Sequence, residues 1–164
     1  RALAEEEQLQ VSRMRACWAV AAYFPEGAGA DFEALMPNQS LLDWAANNSS
    51  KPGRNGAGEW WVLHGDPDWS DEHTEADPQQ VAGELVQELQ KVGDITAVPT
   101  EIQVHRWRDA RARESNRAGH LWHPDHRIAI IGDWLDGGRV EGAFNSADGL
   151  VSRLVSEGWV PQRG

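Results

Sequence analysis

The sequence predicts an α+β fold, because segments with strand patterns and segments with helical periodicity both occur along the chain. Residues 14–24 and 99–107 have the composition and alternation of strands, and residues 60–64 are rich in aromatic and β-branched side chains. Apolar residues recur with helical periodicity after Asp77 and again from Val140. The length of 164 residues is enough for about one domain with its own core.

The clearest local signal in the sequence is the start of the helix after Asp77. The sequence predicts Asp77 as its N-cap and Pro78 as its first residue, with Gln80 completing a capping box. Gly93 is expected to end this helix. An apolar stripe is expected to pack over a sheet, and it consists of Val81, Leu85, Leu89 and Val92.

Shorter elements are expected between the first strands. Residues 31–36 have the composition of a short strand or turn, and residues 40–46 form another short element. Residues 47–56 are rich in Asn, Ser and Gly, which predicts a polar loop. A further acidic stretch lacks the spacing of a known metal site and is expected to be a solvated turn; it contains Asp66, Asp68, Asp71, Glu72 and His73.

Residues 128–155 have the pattern strand, glycine-rich turn, helix. The apolar residues 128–131 are expected to form a short buried strand. Gly137 and Gly138 allow a sharp turn and the close approach of a ligand. The free N–H groups of the following helix favour an anion or polarised carbonyl, and Asp133 could accept hydrogen bonds from hydroxyl groups. The same spacing of residues is also typical of an ordinary loop before an amphipathic helix, without any ligand. The predicted apolar helix face consists of Val140, Ala143, Phe144, Ala147, Leu150, Val151, Leu154 and Val155.

Composition excludes several classes of function. The net charge of −11 argues against nonspecific binding to nucleic acid or anionic membranes. No apolar run approaches the length of a membrane span, and the start has no signal-peptide pattern. A single cysteine, Cys17, fits a reducing compartment such as the cytoplasm or an organelle matrix. His120, His123 and His126 recur every three residues, but Pro124 interrupts any helix through them, so no metal site is expected.

Five stretches resemble, in the same order, renalase-like FAD-dependent amine oxidases and NAD(P)/FAD oxidoreductases. They are residues 17–20, 44–54, 60–73, 104–108 and 131–143, which include His-Arg-Trp-Arg from residue 105 and Gly-Arg-Val-Glu-Gly-Ala from residue 138. Two positions depart from the family pattern. Asp109 stands where an aromatic residue is usual, and Ala147 stands where a glycine is usual.

The resemblance implies a substrate domain with a mixed or antiparallel sheet and flanking helices, followed by a strand and helix that return to an FAD domain. It divides the chain into a lead-in helix or linker (1–13), a substrate-domain-like part (14–127), a flavin-contacting segment (128–157) and a tail (158–164). His105 and Trp107 are then expected on the substrate side of the flavin. The implied FAD-binding residues are Gly132, Asp133, Gly138, Arg139, Val140, Glu141, Gly142 and Ala143.

The chain contains no Gly-x-Gly-x-x-Gly turn, which normally holds the pyrophosphate of a dinucleotide. We therefore expect it to be the C-terminal portion of an FAD oxidoreductase, which retains flavin only when a second polypeptide or a further segment supplies the N-terminal half. The apolar surface of residues 128–155 is expected to dock on that polypeptide or on a second copy of the chain. The alternative is a non-catalytic descendant that acts as an assembly subunit.

Overall fold

The computed structural model describes residues 14–54, 56–113 and 117–159. The lead-in helix or linker predicted for residues 1–13 lies outside this part of the chain, as do residues 160–164 of the predicted tail. The chain divides into two compact units. We call Arg15–Ala110 the sheet unit, and the described residues from Arg111 onward, with Met14, the ribbon unit. The domain boundaries implied by the resemblance stay a prediction.

The sheet unit is built on a five-stranded antiparallel sheet with the strand order β2-β3-β4-β1-β5. Its strands are β1 (Met14–Phe24), β2 (Ala34–Leu35), β3 (Leu42–Asn47), β4 (Glu59–Gly65) and β5 (Glu101–Ala112). This architecture confirms the predicted α+β fold class and the antiparallel form of the sheet. The strand predicted over residues 14–24 has the predicted ends.

A six-residue helix, α1 (Pro67–Glu72), replaces the predicted acidic turn. The Asp66 carboxylate accepts hydrogen bonds from the backbone N–H groups of Asp68 (2.9 Å) and Trp69 (3.0 Å). Proline is favoured in the first turn of a helix because it has no N–H to satisfy there. The prediction of a turn was wrong, because Asp66 and Pro67 start a helix here.

The second helix, α2 (Pro78–Val92), begins and ends at the predicted residues. The Asp77 carboxylate accepts hydrogen bonds from the N–H groups of Gln79 and Gln80, both at 3.0 Å, and Gly93 is the C-cap. The predicted capping box was wrong. The Gln80 side chain donates to Glu84 Oε1 (2.9 Å), one turn further along the exposed side of the helix.

The core of the sheet unit lies between α2 and one face of the sheet. Alternate residues of β1 and β4 face it, because successive side chains of a strand point to opposite faces. The predicted stripe of α2 is buried at Val81, Leu85 and Leu89, whereas Val92 at the helix end is 37% exposed. The strand side of this core includes Trp18, Val20, Ala22, Phe24, Trp61 and Leu63.

One buried carboxylate connects α2 to the start of β3. Glu88 is only 9% exposed, and it accepts a hydrogen bond from Ser40 Oγ (2.7 Å) and pairs with Lys91 Nζ (3.0 Å). The Ser40 hydroxyl and, to a lesser extent, Lys91 hold the pKa of Glu88 below its ordinary value, although burial opposes this shift. The ionised form of Glu88 therefore stabilises the folded chain.

Replacing Ser40 by Ala is expected to lower the free energy of unfolding at neutral pH by about 1.5–3 kcal/mol, since a hydrogen bond to a charged group is lost. A lowered folded-state pKa contributes stability above the ordinary glutamate pKa of about 4.3, and this contribution is lost as the pH falls through the folded value. The difference between wild type and variant should thus shrink in acid. Urea unfolding at neutral pH and near pH 3 measures it, and an equal difference at both would contradict the assignment.

The ribbon unit contains β6 (Leu121–His123), β7 (Ile128–Ile130), a 3₁₀ turn at Asp133–Leu135 and α3 (Val140–Ser156). Strands β6 and β7 pair with each other in a separate two-stranded antiparallel sheet. The prediction of a buried strand was wrong, because Ile128 is 45% exposed and Ile131 is 47% exposed. A two-stranded ribbon has too little surface of its own to cover both sides of a strand.

Helix α3 has the predicted start, but of the predicted apolar face only Leu150 is buried. Gly142, Ser146 and Leu150, spaced by four residues, are its buried positions. On the predicted apolar face, Val140 is 91% exposed and Phe144 is 70% exposed. Periodicity predicted the helix, but within this chain Gly142 and Ser146, which lie outside the predicted face, are buried together with Leu150.

Candidate functional site

The turn between β7 and α3 is fixed by hydrogen bonds to the helix and within itself. The N–H of Gly132 donates to Ser146 Oγ (3.0 Å), and Ser146 is fully buried. The carbonyl oxygen of Asp133 accepts from the N–H groups of Asp136 (2.9 Å) and Gly138 (2.8 Å). These bonds hold residues 132–138 in one conformation against the first two turns of α3.

Gly142 packs against this turn. A Cβ atom at position 142 would lie 2.1 Å from the carbonyl oxygen of Asp136, which no real side chain allows. A glycine is therefore required here by contacts within the chain. At Gly132 a Cβ would lie 2.7 Å from Nε1 of Trp134, but a side chain can rotate away where a backbone carbonyl cannot. Their predicted contact with a cofactor stays a prediction.

The other residues of the predicted cofactor set leave the start of α3 open. Gly137 and Gly138 have φ angles of 85° and 70°, which L side chains rarely adopt, and a Cβ at either would meet no atom within 4 Å. Arg139 is the N-cap, and no side chain caps the helix. Val140, Glu141 and Ala143 are exposed. An acceptor group could thus reach the first N–H groups of the helix.

Asp133 lies beside this opening and is half-buried. Its backbone carbonyl belongs to the turn, but its carboxylate makes no hydrogen bond or ion pair within the described part of the chain. An ionised carboxylate can accept several hydrogen bonds, so this group is available to the hydroxyls of a ligand. The structure therefore brings together the predicted residues from Gly132 to Ala143 in one turn.

The second predicted group, His105 and Trp107, lies on the edge strand β5. Their rings are in edge-to-face contact with centroids 4.4 Å apart, and Trp107 is 56% exposed. Val104 packs on the core from the opposite face, and the guanidinium of Arg106 lies 5.5 Å from the centre of the Trp18 ring. The predicted alternation of this strand is confirmed.

The sequence did not single out a set of aromatic residues on the sheet face opposite α2. We call this set the aromatic face, and it consists of Tyr23, Trp44, Trp60 and His64, with the small residues Ala19 and Ala21. The rings of Tyr23 and Trp60 are 5.1 Å apart, and those of Trp44 and His64 are 5.2 Å apart. The alternation of residues along β1 and β4 indicates that Tyr23, Trp60 and His64 lie on the face away from the core. Which rings form pairs depends on the register between the strands.

The two groups of predicted site residues belong to different units. The turn at residues 132–143 lies in the ribbon unit, and His105 and Trp107 lie in the sheet unit. In the ribbon unit the His123 and His126 rings are stacked, 4.4 Å apart. Across residues 14–54, 56–113 and 117–159, no group of three or more His, Cys, Asp or Glu side chains is placed to hold a metal ion.

No helix in the described part of the chain has the length and apolar character needed to cross a membrane.

Comparison with known proteins shows that part of this chain has a fold similar to that of solved structures. No protein-family model matches the chain. A candidate protoporphyrinogen oxidase from Exiguobacterium sp. 255-15 matches 63% of this chain with a TM-score of 0.55 and 12% sequence identity. The PF1083 protein of Pyrococcus furiosus matches 94% of the chain with a TM-score of 0.46 and 11% identity. The matches cover 24% and 34% of those proteins, so this chain spans about a quarter of the first one's length and shares the fold of part of it.

Proposed function

We propose that this chain forms the substrate-domain and flavin-contacting portion of an FAD-dependent oxidoreductase of the renalase or amine oxidase type. One observation carries the proposal: the chain has the fold of part of a candidate protoporphyrinogen oxidase. The five family-like stretches, which occur in the family's order, support it. The nucleotide-binding half would come from another segment or polypeptide, because the glycine fingerprint is absent from these residues.

The open start of α3 fits an FAD group. The first N–H groups of the helix and Arg139 would favour negative charge on the pyrimidine edge of the flavin. The Asp133 carboxylate would accept hydrogen bonds from ribityl hydroxyls, and Gly138 leaves space for close approach. FAD would supply the hydride chemistry when bound.

The substrate side would be supplied by the sheet unit. His105 and Trp107 would lie toward the substrate, with an exposed indole to cover one side of it and exclude water. The aromatic face provides further half-buried rings on the surface away from the core. In this proposal these side chains bind and orient the substrate.

A second candidate function is that of a non-catalytic assembly subunit. The observation that favours it is the exposed apolar surface of α3, where Val140, Phe144 and Val151 are 91%, 70% and 54% exposed. In either case we propose that residues 128–155 contact another polypeptide or a second copy of the chain.

The absorption spectrum of the protein, purified with its native flanking sequence or copurifying chain, distinguishes the two functions. Bound flavin that is reduced by a substrate supports the oxidoreductase. A stable complex that lacks flavin, even after incubation with FAD, supports the assembly subunit and contradicts the enzymatic proposal.

Replacing Asp133 by Ala is expected to weaken FAD retention in that complex by about 1.5–3 kcal/mol, because a charged hydrogen-bond acceptor is removed. Titration with FAD measures the dissociation constant. Asp148→Ala is the matched control, since Asp148 is an exposed carboxylate further along α3. Equal dissociation constants for the Asp133 variant and wild type would remove Asp133 from the site.

A further inference from the structure

A cavity of about 440 Å³ opens at one end of the aromatic face, entirely within the sheet unit. Tyr23 and Trp60 form its aromatic wall, and Glu101 lies at its margin at the start of β5. The loop after β3 supplies the remaining lining residues, which are Asn48, Ser49, Arg54, Gly56 and Ala57. The proposed function uses the rings of the aromatic face for the substrate, but it assigns no role to the loop residues that line this cavity.

Hydrogen bonds attach the loop to the aromatic wall on two sides. The N–H of Trp60 donates to Ser49 Oγ (3.0 Å), and the N–H of Ser49 donates to Asn47 Oδ1 (2.9 Å). The Tyr23 hydroxyl donates to the carbonyl oxygen of Ala57 (2.9 Å). These bonds hold the Tyr23 side chain and the backbone of Trp60 against the described residues of the loop.

A tight turn positions Arg54. The N–H of Arg54 donates to the carbonyl oxygen of Lys51 (3.3 Å), with Pro52 and Gly53 between them. Gly53 has a φ angle of 79°, and proline followed by glycine with positive φ is the pattern of a type II turn. The local sequence thus fixes the backbone from which the Arg54 side chain extends.

Arg54 differs from several other arginines of the chain in its contacts. Four other arginines are ion-paired with carboxylates, namely Arg15, Arg106, Arg108 and Arg153. Within the described part of the chain, Arg54 forms no ion pair, and the carboxylate of Glu101 accepts a hydrogen bond from Gln103 (2.9 Å). An exposed guanidinium without an ion pair beside two aromatic rings offers this cavity an anion-binding group, opposite the negative charge of Glu101 at its margin.

We infer that the cavity binds a ligand in which a planar ring carries an anionic carboxylate or phosphate group. The ring would lie against Tyr23 and Trp60, whose ring planes differ by 34° and whose centroids are 5.1 Å apart. The anionic oxygens would accept hydrogen bonds from the planar guanidinium of Arg54, which can donate two in parallel. A ligand with an ammonium group in that place would meet a like charge.

Titration of the ¹⁵N-labelled chain with benzoate, phenyl phosphate and benzylamine tests the inference by NMR. We expect the Trp60 indole N–H resonance, assigned with Trp60→Phe, to shift with the two anions more strongly than with benzylamine. The anion that binds more tightly identifies the preferred acidic group, carboxylate or phosphate.

Arg54→Gln should weaken binding of that anion at least about tenfold, which corresponds to about 1.4 kcal/mol. Arg54→Lys should retain part of the affinity because the charge remains. The matched control is Arg113→Gln, which removes an exposed arginine outside the cavity. An unchanged resonance of the buried Trp61 indole shows that each variant is folded.

Three results would overturn the inference: no shift of Trp60 with either anion, equal binding of benzylamine, or unchanged anion affinity in Arg54→Gln. The inference does not depend on the proposed flavin chemistry. Ligand binding to the isolated chain and flavin absorption of the complex are separate measurements, so the failure of one leaves the other result intact.

Discussion

Replacing Trp61 by Ala is expected to lower the free energy of unfolding by about 3–5 kcal/mol, the range for removing a large aromatic side chain from a core. Trp61 is fully buried and in edge-to-face contact with Phe32, with ring centroids 5.5 Å apart. Its indole N–H also donates to Glu59 Oε2 (2.9 Å). Urea unfolding of wild type and variant measures the change.

The neighbouring Trp60→Ala is the control for this prediction. Trp60 is half-buried on the opposite sheet face and belongs to the aromatic face. Its replacement removes less buried apolar surface, so the loss of stability should be smaller. Equal losses for the two variants would show that the two sides of β4 do not differ as the structure requires.

Replacing Gly142 by Ala is expected to destabilise the ribbon unit by about 1–3 kcal/mol or more, because a methyl group is forced into an occupied space. The new Cβ would lie 2.1 Å from the Asp136 carbonyl oxygen, and a backbone atom cannot rotate away as a side chain can. Thermal or urea unfolding in the absence of flavin should detect the loss. A flavin-dependent effect alone would contradict a packing role for Gly142.

Gly83→Ala is the matched control, because Gly83 also lies within a helix but its Cβ would meet no atom within 4 Å. Alanine is favoured over glycine inside a helix by about 0.5–1 kcal/mol, so this variant should be more stable than wild type. Opposite signs for the two variants are therefore expected. A neutral or stabilising Gly142→Ala would show that the turn yields to the methyl group.

The role of Gly142 affects how the proposed cofactor site is tested. A glycine at the start of a helix after a glycine-rich turn suggests close approach of a cofactor, but here internal packing already requires it. Variants of Gly142 would alter both the fold and any ligand site. Asp133, whose carboxylate has no partner in the described residues, gives the cleaner measure of flavin binding.

The sequence by itself determined features that depend on near neighbours in the chain. Asp77 and Pro78 define the start of α2, because the cap is satisfied by N–H groups two and three residues away. The ends of β1 and the two faces of β5 follow from composition and from alternation along an extended backbone. The resemblance-implied antiparallel sheet and the α+β class agree with the structure.

Only the tertiary structure decided which surfaces are covered. Periodicity identifies an apolar face of α3, yet Gly142 and Ser146 pack while Phe144 is exposed, because small residues let the helix approach the turn at Asp136. The cavity beside Tyr23 likewise depends on strands far apart in sequence, since β1 pairs with β4 and brings Tyr23 opposite Trp60. Burial and pairing are set by contacts between distant segments, which a local pattern does not contain.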